Sequence, residues 1–147
     1  MIPVHVTEFR VRYAETDQMG VVYHANYLVW CEVGRTEFVR AAGMTYREME
    51  RRGVGLAVSD AALRFHGSAT YDDRILVETR LTDVRSRALT FEYTILNADT
   101  RARLVSASTR LIAVDPDGRP TTLPAEVREA FEGARATGDA PVQLAAP

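Results

Sequence analysis

Asp17, Gly20 and His24 stand just ahead of a helical stretch, in the run Asp-Gln-Met-Gly-Val-Val-Tyr-His-Ala-Asn-Tyr that covers residues 17–27. A carboxylate, a turn residue and an imidazole are thereby set at a helix N-terminus. Such a terminus carries unpartnered backbone N–H groups and the positive end of the helix dipole. It suits a carbonyl oxygen that gains negative charge, with a carboxylate close by. The chemistry these residues can support is acyl chemistry. Taken alone, Asp17 fits better as a loop aspartate that makes an Asx turn or caps the helix.

The elements around this run follow from periodicity. Phe9, Val11 and Tyr13 alternate with Glu8, Arg10 and Arg12, which predicts a strand over 4–13. Residues 14–24 read as loop. Tyr27, Cys31, Gly34, Phe38 and Ala41 or Ala42 recur at helical spacing and predict a helix over 25–42. Arg35 is placed off that face. Leu28, Val29, Trp30 and Val33 widen its apolar surface. Gly34 costs about 1 kcal/mol in a helix interior, so it implies close approach to another backbone. Gly43 ends the helix. Thr45 and Glu48 have capping-box spacing for a short second helix, which Gly53 closes.

Strands are predicted over 54–66, 74–84, 88–97 and 103–114. The apolar parity of the first flips between Val58 and Ala61, which implies a bulge. Asp115-Pro116-Asp117-Gly118 reads as a turn, and Pro124 to Phe131 as a last helix. One long helix over an antiparallel sheet of about five strands is an α+β domain. It occupies residues 1–132, with 133–147 expected as a flexible tail. One helix covers one face of such a sheet, so the remaining apolar surface predicts a homo-oligomer.

The chain has 147 residues and a net charge of -2, with a pI of about 5.9. No global basic field draws it to nucleic acid or anionic lipid. Cys31 is the sole cysteine, which excludes an intrachain disulfide and fits a reducing compartment. No signal peptide and no apolar run of membrane-span length is read. The expected location is cytoplasmic. His5, His24 and His66 are spaced as no metal signature, so no metal is expected. Cys31 reads as a buried small hydrophobe.

The pattern Tyr13-x-x-Thr16-Asp17-x-x-Gly20-Val21-Val22-Tyr23-His24-Ala25-Asn26-Tyr27 resembles the signature of hotdog-fold acyl-CoA thioesterases, in the branch of the 4-hydroxybenzoyl-CoA and Tol-Pal-associated enzymes. Ala69-Thr70-Tyr71-Asp72-Asp73 is a second, supporting match, and the element order agrees over residues 4–131. The resemblance implies a curved antiparallel sheet wrapped around the long helix, dimers often paired into tetramers, and an acyl-CoA substrate with no other cofactor. It makes Asp17 the catalytic carboxylate, as nucleophile or as the base that activates water. The His24 backbone N–H becomes the oxyanion donor. The His24 imidazole, which can move a proton near neutrality, is assigned either to orienting water or to the leaving thiolate. In the 4-hydroxybenzoyl-CoA pattern a tyrosine stands at that position. Tyr23 joins this group, shaping the acyl pocket or holding the turn.

Gly67 and Ser68 are candidates for lining the pantetheine channel. Arg85, Ser86 and Arg87 are candidates for meeting the CoA phosphates; an exposed charged hairpin explains them equally. Asn26, Thr16, Asp72 and Asp73 are read as structural, and Glu15 as solvent-facing. Two other readings stand beside thioester hydrolysis: a hotdog hydratase or dehydratase on enoyl or hydroxyacyl thioesters, and a non-catalytic acyl-CoA-binding module.

Overall fold

A computed structural model describes residues 4–135 of the chain. The elements run β1 (His5–Arg10), α1 (Ala25–Ala41), α2 (Tyr46–Arg51), β2 (Gly55–Phe65), β3 (Arg74–Val84), β4 (Ala88–Asn97), β5 (Arg103–Val114) and α3 (Ala125–Ala134). The strands form one antiparallel sheet in the order β1-β3-β4-β5-β2. The period-two patterns of β3, β4 and β5 give those strands their expected limits. The parity flip in β2 is a register shift between Val58 and Asp60 against β5. Helix α3 runs through Gly133 to Ala134, past the expected domain end at 132. The rest of the expected tail, from 136 onward, lies outside the described residues.

Two local expectations are corrected. The first strand stops at Arg10, which pairs with Arg74, the first residue of β3. With no partner strand beyond it, the chain folds into a 3-10 turn at Tyr13–Glu15. Tyr13 is therefore exposed rather than part of an alternating strand. Arg35, placed off the apolar face of the helix, is buried with it. Its Nε donates to the Tyr46 hydroxyl and its Nη1 to the Tyr93 hydroxyl, each at 3.1 Å. A buried guanidinium is tolerated here because these hydroxyls satisfy its donors.

The core lies between α1 and one face of the sheet. Tyr27, Trp30, Cys31, Phe38 and Val39 meet Ile75, Val77, Leu81, Leu89, Phe91 and Ile95, all buried. Each such side chain contributes about 1.5–3 kcal/mol on burial. Phe38 meets Phe91 edge-on at 5.5 Å between centroids. At Gly34, α1 packs too tightly on β3 to admit a side chain. A Cβ there would lie 2.5 Å from Thr79 Oγ1 and 2.7 Å from Val77 Cγ1. The neighbours are side chains of β3, not the backbone that the sequence suggested. Gly34 thus lets α1 settle along β3, which fixes where its N-terminus emerges.

On the outer side α1 leaves Leu28, Val29 and Val33 exposed, and β2, an edge strand, exposes Val58 and Phe65. No helix among the described residues is long and apolar enough to cross a membrane.

Candidate active site

Asp17 sits in a tight hairpin. Thr16 and Val22 form an antiparallel bridge. The Asp17 N–H donates to Val21 O (2.9 Å), and the Gly20 N–H to Asp17 O (3.0 Å). Gly20 has φ +81°, a left-handed conformation that costs glycine nothing. The Met19 N–H donates to Asp17 Oδ1 at 2.8 Å, the Asx turn of the bland reading. Asp17 nonetheless remains partly exposed, and its Oδ2 takes no hydrogen bond from the described residues. The turn thus orients the carboxylate and leaves one oxygen open.

Two residues, Tyr23 and His24, separate the close of this hairpin from the start of helix α1, with His24 as the residue before its first turn. The Tyr23 N–H donates to Glu15 O (2.9 Å), the Asn26 N–H to Tyr23 O (2.9 Å) and the Tyr27 N–H to His24 O (3.3 Å). The amides of His24 and Ala25 have no acceptor among the described residues. These are the orphan donors of a helix start. His24 and Tyr23 are both exposed, with ring centroids 4.6 Å apart. Phe65 from the end of β2 meets the His24 ring edge-on at 6.3 Å.

The segment between β2 and β3 closes the same region. The Val22 N–H donates to Ala69 O at 2.9 Å, and the Ala69 N–H to the Tyr27 hydroxyl at 3.0 Å. This carries Gly67 and Ser68, both exposed, past the start of α1. Asp73 Oδ2 accepts from the Thr70 N–H at 2.9 Å, and Asp72 adopts φ 67°, so this acidic pair shapes the turn as expected. Thr16 Oγ1 donates to Tyr13 O at 2.7 Å, and Asn26 Nδ2 to Glu15 O at 2.8 Å. Both are structural, again as expected.

The chain therefore gathers Asp17, Tyr23, His24, Gly67 and Ser68 at one end of α1. Arg85, Ser86 and Arg87 are not gathered with them. They are exposed on the β3–β4 hairpin, while the Asp17 hairpin adjoins the other end of β3, where the Val11 N–H meets Asp73 O. The intervening strand of 11 residues spans about 35 Å. Arg85 Nε pairs with Asp83 at 2.8 Å, the Ser86 carbonyl accepts from the Leu123 N–H, and that of Arg87 from the Ala113 N–H.

Glu15 is the correction at this site. It is 6% exposed rather than solvent-facing, and its carboxylate accepts from Trp30 Nε1 (2.7 Å) and the Arg12 N–H (2.8 Å). Its place three residues after Arg12 is the reach-back spacing of a capping box, the one local signal available. The indole partner, 15 residues away, left no trace in the periodicity. Cys31 is fully buried, and burial pushes its thiol up to about 12, which suits the inert role expected of it. His5 lies on β1, and His66 directly follows β2 with its Nε2 2.9 Å from Ser106 Oγ.

A five-stranded antiparallel sheet wrapped around one long helix, with a carboxylate hairpin at the helix N-terminus, is the hotdog fold of the thioesterases. The chain belongs to the thioesterase-like superfamily, whose family model matches residues 11–131. It is 38% identical over 130 residues to a putative acyl-CoA thioesterase, YneP, of Bacillus subtilis, covering 87% of this chain and 91% of that protein. It is 32% identical over 124 residues to the acyl-CoA thioester hydrolase YbgC of Escherichia coli O157:H7, covering 84% and 92%. Among solved structures, a DHNA-CoA thioesterase from Staphylococcus aureus superposes with a TM-score of 0.85 at 32% identity, covering 90% of this chain and 91% of that one.

Proposed function

We propose that this protein hydrolyses an acyl-CoA thioester to a carboxylic acid and free CoA, with Asp17 and the N-terminus of α1 as the reacting site. The observation that carries the reading is the pairing of an open Asp17 carboxylate oxygen with the acceptor-free amides of His24 and Ala25. The thioester carbonyl oxygen rests against the His24 N–H. As the carbon becomes tetrahedral, that oxygen gains negative charge, and the amide and helix dipole stabilise it; one such donor is worth roughly 3–4 kcal/mol of barrier. Asp17 either removes a proton from the attacking water or attacks the carbonyl carbon itself. In the second route an acyl-aspartyl anhydride forms, CoA thiolate leaves, and water then releases the acid. In both, one water is consumed and the thiolate ends protonated. Tyr23, Phe65 and the His24 ring border the acyl group, and Gly67 and Ser68 line the pantetheine path.

The exposed Leu28, Val29 and Val33 of α1 support a homo-oligomer that covers this apolar stripe. Arg85, Ser86 and Arg87 are too distant to meet the same substrate from within one chain. Their role as phosphate contacts then rests on being supplied across that assembly.

The test is thiol release across a panel of acyl-CoAs, for wild type and Asp17→Asn. Loss of two or more orders of magnitude in kcat, with fold and assembly unchanged, supports the reading. No thiol release by wild type from any member refutes hydrolysis. Near-full activity in the variant refutes the assignment of Asp17.

A further inference from the structure

We propose that Glu15 is a positioning residue that sets the distance between the Asp17 carboxylate and the His24 N–H. The inference rests on the reading of Asp17 and His24 just given. Glu15 stands two residues before Asp17, and its carbonyl holds the residue immediately before His24. That carbonyl accepts from the Tyr23 N–H (2.9 Å) and from Asn26 Nδ2 (2.8 Å). Its side chain reaches into the interior and accepts from Trp30 Nε1 at 2.7 Å and from the Arg12 N–H at 2.8 Å. The Glu15 N–H donates to Arg12 O at 3.0 Å. One residue thus ties the segment that follows β1, the Asp17 hairpin and the first two turns of α1.

The side-chain type follows from acceptor counting. Two N–H donors, the Trp30 indole and the Arg12 amide, point at this one side chain. A carboxylate offers both its oxygens as acceptors; an amide offers one and turns a donor group toward the other. A buried charge is tolerated only where it is hydrogen-bonded. Here both oxygens are engaged, and the Arg12 Nε lies 3.5 Å from Oε1. Glutamine at position 15 leaves one donor facing another, so the hairpin or the helix start must shift. Misplacement by about 1 Å costs on the order of a hundredfold in rate where reacting groups must align.

The test uses the full chain with its best acyl-CoA. Glu15→Gln is expected to lower kcat by about ten- to a hundredfold, with KM within about twofold. Trp30→Phe in the Glu15→Gln background is expected to recover much of kcat, because the amide oxygen then serves the Arg12 N–H alone. In an Asp17→Asn background, Glu15→Gln is expected to add little, since neighbours acting as one unit are non-additive. Trp30 is the single tryptophan, so its emission reports the loss of the carboxylate acceptor independently of activity. Unchanged kcat in a folded Glu15→Gln overturns the proposal. So does a kcat loss of the same size with and without Asp17→Asn, or a loss that Trp30→Phe does not relieve. If Glu15→Gln fails to fold, Asn26→Ala removes a tie to the Glu15 carbonyl without stranding a buried charge, and must then lower kcat with little change in KM. If wild type releases no thiol, the functional reading fails first, and that outcome is separate from these.

Discussion

The Tyr27 hydroxyl accepts a hydrogen bond from the Ala69 N–H at 3.0 Å, within the core. It joins the second residue past the α1 start to the segment that carries Gly67 and Ser68. Burial raises the Tyr27 pKa, the Ala69 N–H opposes the rise, and the Asp73 charge adds to it, so the group stays a neutral phenol at physiological pH. Tyr27→Phe leaves the Ala69 N–H buried without an acceptor. The expected loss is about 1–3 kcal/mol, read by urea denaturation, together with faster amide exchange at Ala69.

Glu78 predicts an inverse pH dependence. It is 1% exposed on β3, and neither carboxylate oxygen has a hydrogen bond among the described residues. Burial pushes its pKa up to about 7, against the opposing pull of the Arg101 and Arg80 charges. The folded protein therefore holds this proton more tightly than the unfolded chain. Its contribution is fully present below the unfolded value near 4.5 and is lost as pH rises to about 7. Linkage puts the loss at up to about 3 kcal/mol. Glu78→Gln is expected to flatten the stability profile between those limits and to be the more stable form at pH 8, as thermal melts across pH would show. A steeper profile in the variant would refute this.

Cys31 is expected to resist thiol reagents in the folded protein and to react at once in denaturant. Its full burial and a pKa raised to about 12 leave almost no thiolate near neutrality. Ellman titration with and without guanidinium separates the two states. Reaction in the native protein on the mixing timescale would contradict the packing of α1.

Gly34→Ala places a methyl group 2.5 Å from Thr79 Oγ1 and 2.7 Å from Val77 Cγ1. Alanine favours the helix by about 1 kcal/mol, yet overpacking costs about 1–3 kcal/mol. The expected net is destabilisation, with Thr79→Ala or Val77→Ala, each of which removes a clashing atom, restoring part of it in a double variant. A stabilised Gly34→Ala would show that α1 lifts from the sheet at little cost.

The strands β3, β4 and β5 were legible to the residue because they follow a local rule of alternating apolar side chains, and β4 and β5 are each followed by a turn that carries Asp. Thr45 capping α2 was equally local, its Oγ1 accepting the Glu48 N–H at 3.1 Å. What escaped depends on contacts far along the chain. Arg35 sits at a helical position that looks solvent-facing until Tyr93, 58 residues on, supplies a hydroxyl. Glu15 looks like a loop glutamate until Trp30 turns its indole inward. The loop around Asp17 and its turn at Gly20 were read from their own residues; that the loop closes as a hairpin through the Thr16–Val22 bridge was not. Its relation to Ala69 was not, because that hydrogen bond joins segments with no shared periodicity.

The order β1-β3-β4-β5-β2 puts the two earliest strands on the two outer edges. Strands β3 to β5 close by short local loops, whereas β1 must wait for β3 and β2 for β5. During synthesis, the ribosome therefore delivers the Asp17 hairpin and α1 long before their supports. Val22 lacks its Ala69 acceptor and Val11 its Asp73 acceptor until those residues emerge. Long-range closures of this kind slow folding, so the Asp17 hairpin gains these two supports only after the β2–β3 segment has emerged. A nascent chain halted before Ala69 has the full Asp17–Tyr27 run without the Ala69 carbonyl that holds Val22 or the Ala69 N–H that meets the Tyr27 hydroxyl.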